Sequence, residues 1–263
     1  MRTSQQKKQM PYPQDDGPVG LIYGLADSSL ILAQRLSELT GHGPSLEVDM
    51  GLTNIALDLF GQVRLYYQYA AELLADGRTE DDLAFLRTER EFRSVLLAEQ
   101  PNTDFAYTLT RQFLYDHFHF LMLKELQRSK DNTLAGIATK GIKEVAYHKV
   151  YTSDWIERLG DGTEESHRRV QKAVLDLWPY TQELFYKTEA DKKMIEQGIG
   201  VDFERLKAPY YKAVTTVLKQ ARLKVPEVAY FQKGGKEGVH TEHMGHLLAT
   251  MQYMQRTYPG MEW

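Results

Sequence analysis

Glu38, Asp58, Asp116, His119, Glu144 and His148 are spaced along helix-like segments of the chain, and their chemistry is that of metal ligation. Carboxylates and imidazoles projecting into a helix bundle are what a two-iron, oxygen-activating centre requires. Such a centre takes one carboxylate from each of two helices and a Glu-x-x-His pair from each of the other two. The interval matters because residues i and i+3 share a helix face and bring both side chains over one ion. The long helices here do not carry it. Glu144 is followed at i+3 by Tyr147, with His148 one residue late; Asp58 is followed by Gly61 and then Gln62. Asp116-x-x-His119 has the interval, but its helix is the one expected to supply a lone carboxylate. The six residues therefore read as a two-metal constellation with its imidazoles misplaced.

Acids on core-facing helix positions need partners, because an unpaired buried charge is costly. Two outcomes follow. Either the acids bind metal or act as an acid/base pair, or they are neutralised in a metal-free polar core. In the second case Glu144 is expected to pair with His148, and Asp116 with donors such as His119 or Gln62.

These positions depend on the helices that carry them. Period-3.6 patterning dominates and strand-like alternation is scarce, so the fold class is all-α. The expected helices cover about 21–40, 46–76 (capped by Ser45), 104–129, 133–159, 163–187 (kinked at Pro179), 208–222 and a last one after Thr241. The long ones suggest an antiparallel four-helix bundle with additional C-terminal helices. Residues 1–18, polar and Pro-containing, read as a disordered leader ahead of one helical domain over 19–263.

The 263 residues are 42% hydrophobic and 26% charged, ordinary for a globular chain, and the net charge of −4 offers no basic field for nucleic acid or an anionic membrane. With no cysteine there is no disulfide, thiolate zinc site or Cys nucleophile. No apolar run approaches the length that crosses a bilayer, and a cytoplasmic location is expected. Tyr66, Tyr67 and Tyr69 read as packing, and Gly234-Gly235-Lys236-Glu237-Gly238 lacks the spacing of a phosphate loop. His240, His243 and His246 recur at intervals of three, as a weak zinc candidate or as capping and partner-contact residues. Lys233, Lys236, His240, His243 and Arg256 are candidate contacts for a partner or an acyl-CoA.

Several stretches together are more specific: Ile55-Ala-Leu-Asp-Leu-Phe-Gly-Gln62, Leu97-Ala-Glu-Gln-Pro-Asn102, Ile142-Lys-Glu-Val-Ala-Tyr-His148, Trp155-Ile-Glu-Arg-Leu-Gly-Asp-Gly-Thr163 and Gly234-Gly-Lys-Glu-Gly-Val-His-Thr-Glu-His-Met-Gly245. From about residue 20 to Trp263 the chain resembles the C-subunit family of bacterial ring 1,2-phenylacetyl-CoA epoxidases. The resemblance implies a ferritin-like fold and membership of a multicomponent monooxygenase in aerobic phenylacetate breakdown. It also implies a homologous A subunit that holds the di-iron centre and binds the acyl-CoA, a further small subunit, and a reductase passing on NADPH-derived electrons. This chain would then be a non-catalytic structural partner with no cofactor of its own. The alternative is an independent di-iron carboxylate oxidase using Asp58, Asp116, Glu144 and His148 as an irregular ligand set.

Overall fold

The computed structural model describes residues 17–228 and 230–261, so the expected leader lies outside the described residues except for its last two positions. Of these, Pro18 already opens the first helix, where its missing N–H costs nothing. The chain continues as α1 (Pro18–Leu39), α2 (Leu46–Leu74), α3 (Glu80–Phe85), α4 (Leu96–Glu99), α5 (Phe105–Leu126), α6 (Asn132–Gly160), α7 (Glu164–Leu177), α8 (Glu189–Glu196), α9 (Phe203–Gln220), α10 (Glu242–Met251) and α11 (Tyr253–Thr257). No strand occurs among the described residues.

Local chemistry sets the ends of the long helices. The Ser45 hydroxyl accepts from the Val48 N–H at the start of α2, and Ala75 closes that helix in the left-handed conformation at φ 47°. Asp104 caps α5 through the Tyr107 N–H, and Asp131 caps α6 through Thr133 and Leu134. The expected helix over 163–187 is shorter. Instead of kinking at Pro179, α7 ends at Leu177 and the chain tightens into a 3₁₀ run over Trp178–Phe185. In contrast, α9 starts at Phe203 and tolerates Pro209 inside it. A helix not expected from periodicity, α8, is started by a Thr188/Asp191 capping box.

Two hairpins, α1–α2 and α5–α6, make a ferritin-like antiparallel four-helix bundle. α1 meets α5 at Ser29 and Tyr115, whose hydroxyls lie 3.2 Å apart. α2 meets α6 at Asp58 and His148. α7 and α9 cover the flank of the second hairpin, where the Tyr210 hydroxyl donates to the Leu114 carbonyl. α1 is buried almost all round, from Val19 to Leu36.

Inside that buried helix Asp27 forms an ion pair with Arg87, both side chains fully buried, at 2.7 Å. The pair is closed by further contacts. Tyr67 Oη donates to Asp27 at 2.6 Å, and the Arg93 N–H donates to it at the same distance. Arg87 also donates to the Leu83 and Glu91 carbonyls, and its guanidinium lies over the Tyr23 and Phe92 rings. With so many donors and acceptors satisfied, the charges tolerate the low-dielectric interior.

The C-terminal segment is tied down by two buried carboxylates. Glu183 accepts from the N–H groups of Leu96 and Gly234, and burial raises its pKa despite those bonds. Glu99 accepts from the Thr241 N–H and hydroxyl. Thr241 is the N-cap of α10 as expected, yet its side chain makes no cap bond and its hydroxyl donates to Glu99 instead. The glycine motif serves this strapping: Gly234 adopts φ 139°, and a Cβ on Gly235 would fall 2.1 Å from the Ser94 carbonyl oxygen.

Candidate functional site

On α2 and α6 the four-residue interval, not the three-residue one, decides what faces inward. Gln62 and His148 are buried, whereas Gly61 lies on the surface beside open space and Tyr147 is 56% exposed. The positions where a two-iron pattern would place imidazoles therefore point to solvent. The antiparallel crossing of α2 and α6 makes a reciprocal pair of contacts. His148 Nε2 donates to Asp58 Oδ2 at 2.9 Å, and Gln62 Nε2 donates to Glu144 Oε2 at 2.8 Å. Gly141 admits the Gln62 amide, since a Cβ there would approach Gln62 Cδ to 3.0 Å. The two carboxylates sit on a half-exposed rim, Asp58 at 39%, and their neutral partners sit within.

This pairing differs from the expected one. Glu144 bonds Gln62 rather than His148, because His148 turns its Nε2 to Asp58 across the seam and Gln62 supplies the donor facing Glu144. Asp116 bonds neither His119 nor Gln62; it accepts from Gln112 Nε2 at 2.6 Å and from the Thr152 hydroxyl at 3.2 Å. Both of those donors are neutral and Asp116 is fully buried, so desolvation holds its pKa well above the carboxylate range. His119 is fully buried with neither ring nitrogen near a protein partner. Burial, with the neighbouring His148 as a lesser cause, depresses its pKa to about 3. Burial likewise lowers His148, against the pull of Asp58.

Glu38 is not in the core. It lies exposed at the end of α1, bonded to Arg35 at 2.9 Å and facing the Asn102 amide. Glu-x-x-His spacing does occur twice outside the four long helices, at Glu164/His167 and Glu237/His240, and neither pair enters the bundle. His167 bonds the Gly160 carbonyl, and Glu237 accepts from the Tyr186 hydroxyl.

A two-iron centre needs ionised carboxylates and imidazoles converging on shared ions. Of the candidate acids, the fully buried Asp116 is bonded to Gln112 and Thr152, and the rim acids are engaged by Gln62 and His148. No three His, Asp or Glu groups come together in metal-binding geometry among the described residues. The residues present do not fit a two-metal group.

The C-terminal candidates also change meaning. Lys236 is buried, donates to the Leu184 and Tyr186 carbonyls and lies over the Phe203 ring, so it faces the fold rather than a phosphate. Arg256 donates to the Leu86 and Arg87 carbonyls and to Gln252, tying α11 to the α3 loop. The His243 carbonyl accepts from Arg35, and Lys233 stays exposed near the Tyr186 ring. His240 is enclosed, its Nδ1 at 2.5 Å from Glu99 Oε1 and its Nε2 at 3.1 Å from the Phe92 carbonyl. Both nitrogens thus face acceptors, as suits an imidazolium. Burial opposes that charge, but Glu99 and the Phe92 carbonyl outweigh it and raise the pKa.

A group whose folded pKa is raised contributes stability below its unfolded value, lost as pH rises through the folded value. His240→Gln is accordingly expected to cost about 2 kcal/mol at pH 6. The difference from the parent should shrink as pH rises above ~6.5, measured by chemical denaturation across pH.

The same chain matches known proteins along its length. The family model described as phenylacetic acid catabolic protein matches residues 1–263. The chain belongs to that family. Within the phenylacetic acid catabolic proteins it is similar to the C subunit of 1,2-phenylacetyl-CoA epoxidase from Escherichia coli (strain K12). Identity is 47% over 239 residues, covering 91% of this chain and 96% of that protein. The resemblance to the epoxidase C-subunit family is thereby established.

Asp27, Arg87, Glu99 and Glu183 are central to the interior, and the sequence pattern does not single them out. Asp27 carries a usable signal, an acid amid the apolar run of α1. Glu99 lies in the Leu97–Asn102 stretch, but a four-residue helix shows no period to mark its inward face.

Proposed function

We propose that this chain is a structural, non-catalytic subunit of a phenylacetyl-CoA ring-epoxidising monooxygenase, pairing with a homologous di-iron subunit. The reading is carried by the seam between α2 and α6, where an ordinary di-iron bundle would be lined with ligands. Its acids are instead bonded reciprocally to an amide and an imidazole. The relative's name, a subunit of an epoxidase, supports a role inside an assembly.

The same seam supports docking. Along α2 the outward stripe holds Leu46, Met50 and Leu57, and along α6 it holds Tyr147 and Val150, all more than half exposed. The Asp58–His148 contact fixes the register of α2 against α6, and Leu57 and Tyr147 each adjoin a residue of that contact in sequence. Exposed apolar bands of this kind mark protein interfaces. Among the described residues no helix is long and apolar enough to cross a membrane, so a lipid-spanning role has no support from the helices.

Asp58→Asn with Glu144→Gln separates this reading from an independent oxidase. The complex carrying the double variant is expected to keep turnover within about twofold of the parent, because neither group holds metal. An enzyme using Asp58 and Glu144 as ligands would lose ~10²-fold or more, and that loss in a folded, assembled complex would sink the proposal.

A further inference from the structure

His119, His148, Tyr66 and Gln112 present fully buried polar atoms with no protein partner: both His119 nitrogens, His148 Nδ1, the Tyr66 hydroxyl and Gln112 Oε1. They belong to one region. His119 neighbours His148, and its ring lies 5.3 Å from that of Tyr115, which in turn neighbours Tyr66. Gln112 is bonded to Asp116, which shares Thr152 with the His148 carbonyl. Buried polar atoms are almost always satisfied, by protein or by ordered water.

The hydrogen-bonding character of the set identifies its ligand. His148 donates its Nε2 proton to Asp58, so the neutral ring offers a lone pair at Nδ1. Neutral His119 offers one lone pair and one N–H, Tyr66 one O–H, and Gln112 a carbonyl oxygen. An anion would meet only two neutral donors. A cation would meet lone pairs, while the nearest carboxylates, Asp58 and Asp116, are already bonded to His148 and to Gln112 and Thr152. A molecule that both donates and accepts, without charge, satisfies every member.

We propose that the bundle centre around His119 is a binding site for ordered water, bridging His119, His148, Tyr66 and Gln112 in the region where a di-iron homologue would hold metal. The proposal rests on the structural-subunit reading to the extent that both require a metal-free interior. His148, itself buried, links the site to the half-exposed Asp58 rim.

The test uses the full chain, purified and then incubated with ferrous iron under anaerobic conditions. Oxygen-17 relaxation dispersion counts its long-lived internal waters, and a high-resolution crystal structure locates them. At least one ordered water is expected within about 2.7–3.2 Å of a His119 nitrogen. The long-lived count should fall in His119→Phe and persist in His119→Gln, which keeps a donor and an acceptor. A dry interior, or an unchanged count in His119→Phe, overturns the water site and leaves the structural-subunit reading standing. Iron bound by His119 and His148 at one or two equivalents overturns both.

Discussion

Leu57→Asp combined with Tyr147→Asp is expected to abolish pairing with the homologous di-iron subunit while leaving the isolated chain folded. Leu57 is 61% exposed and Tyr147 56%, so neither packs the core and each change should move the chain's own stability by less than ~0.5 kcal/mol. In the assembly both would be covered. Obligate interfaces resemble a core cut in half, and a carboxylate placed there must be dehydrated without a partner. Association should weaken by at least about a hundredfold, or ~3 kcal/mol. Titration calorimetry or co-elution measures it, with the unfolding transition of each chain as control. Undiminished co-elution would move the interface away from the α2–α6 seam.

Arg87→Ala is expected to have the largest effect on folding. Removal of the guanidinium leaves Asp27 buried with its two remaining donors, Tyr67 and the Arg93 N–H, in place of the ion pair. It also frees the Leu83 and Glu91 carbonyls and strips the Tyr23 and Phe92 faces of their cation. Breaking a buried pair by removing one partner costs about 3–5 kcal/mol, a large fraction of the stability of most domains. Denaturant unfolding should show this loss at unchanged cooperativity. The double change Asp27→Leu with Arg87→Met should recover much of it, because an apolar pair of similar volume leaves no unmatched charge. Equal losses in the single and double variants would mean that packing, not charge pairing, is the main contribution.

The long helices were legible because their apolar residues recur at helical spacing and their caps, Ser45 and Asp131 among them, are residues that accept backbone protons. Periodicity also placed Asp116, Gln62 and His148 on inward faces. It did not give the angular offset between neighbouring helices. For that reason it could not show that Glu144 would find Gln62 across the seam. Glu38 was misplaced because its position in the last turn of α1 faces outward, where it bonds Arg35. The role of the C-terminal motif was hidden because its partners, Glu99 and Glu183, are distant in sequence, and tertiary contacts of that range leave no local pattern.

The interior is polar but close to neutral, with Asp116 shifted toward the acid form and His119 and His148 toward the free imidazole. Several of the buried charged groups are engaged in structure: Asp27 with Arg87, Glu99 with His240, Glu183 with the strap over Gly234–Lys236. Leu46, Met50 and Leu57 on α2 and Tyr147 and Val150 on α6 stay exposed, as the proposed docking role requires.

Iron analysis of the two homologous subunits, co-expressed, assembled and then separated, tests the central claim most directly. Iron is expected at background level in this chain and bound in its partner, with oxygen-dependent turnover only when both are present. A full two-iron complement in this chain, with turnover by the chain alone, would contradict a structural role.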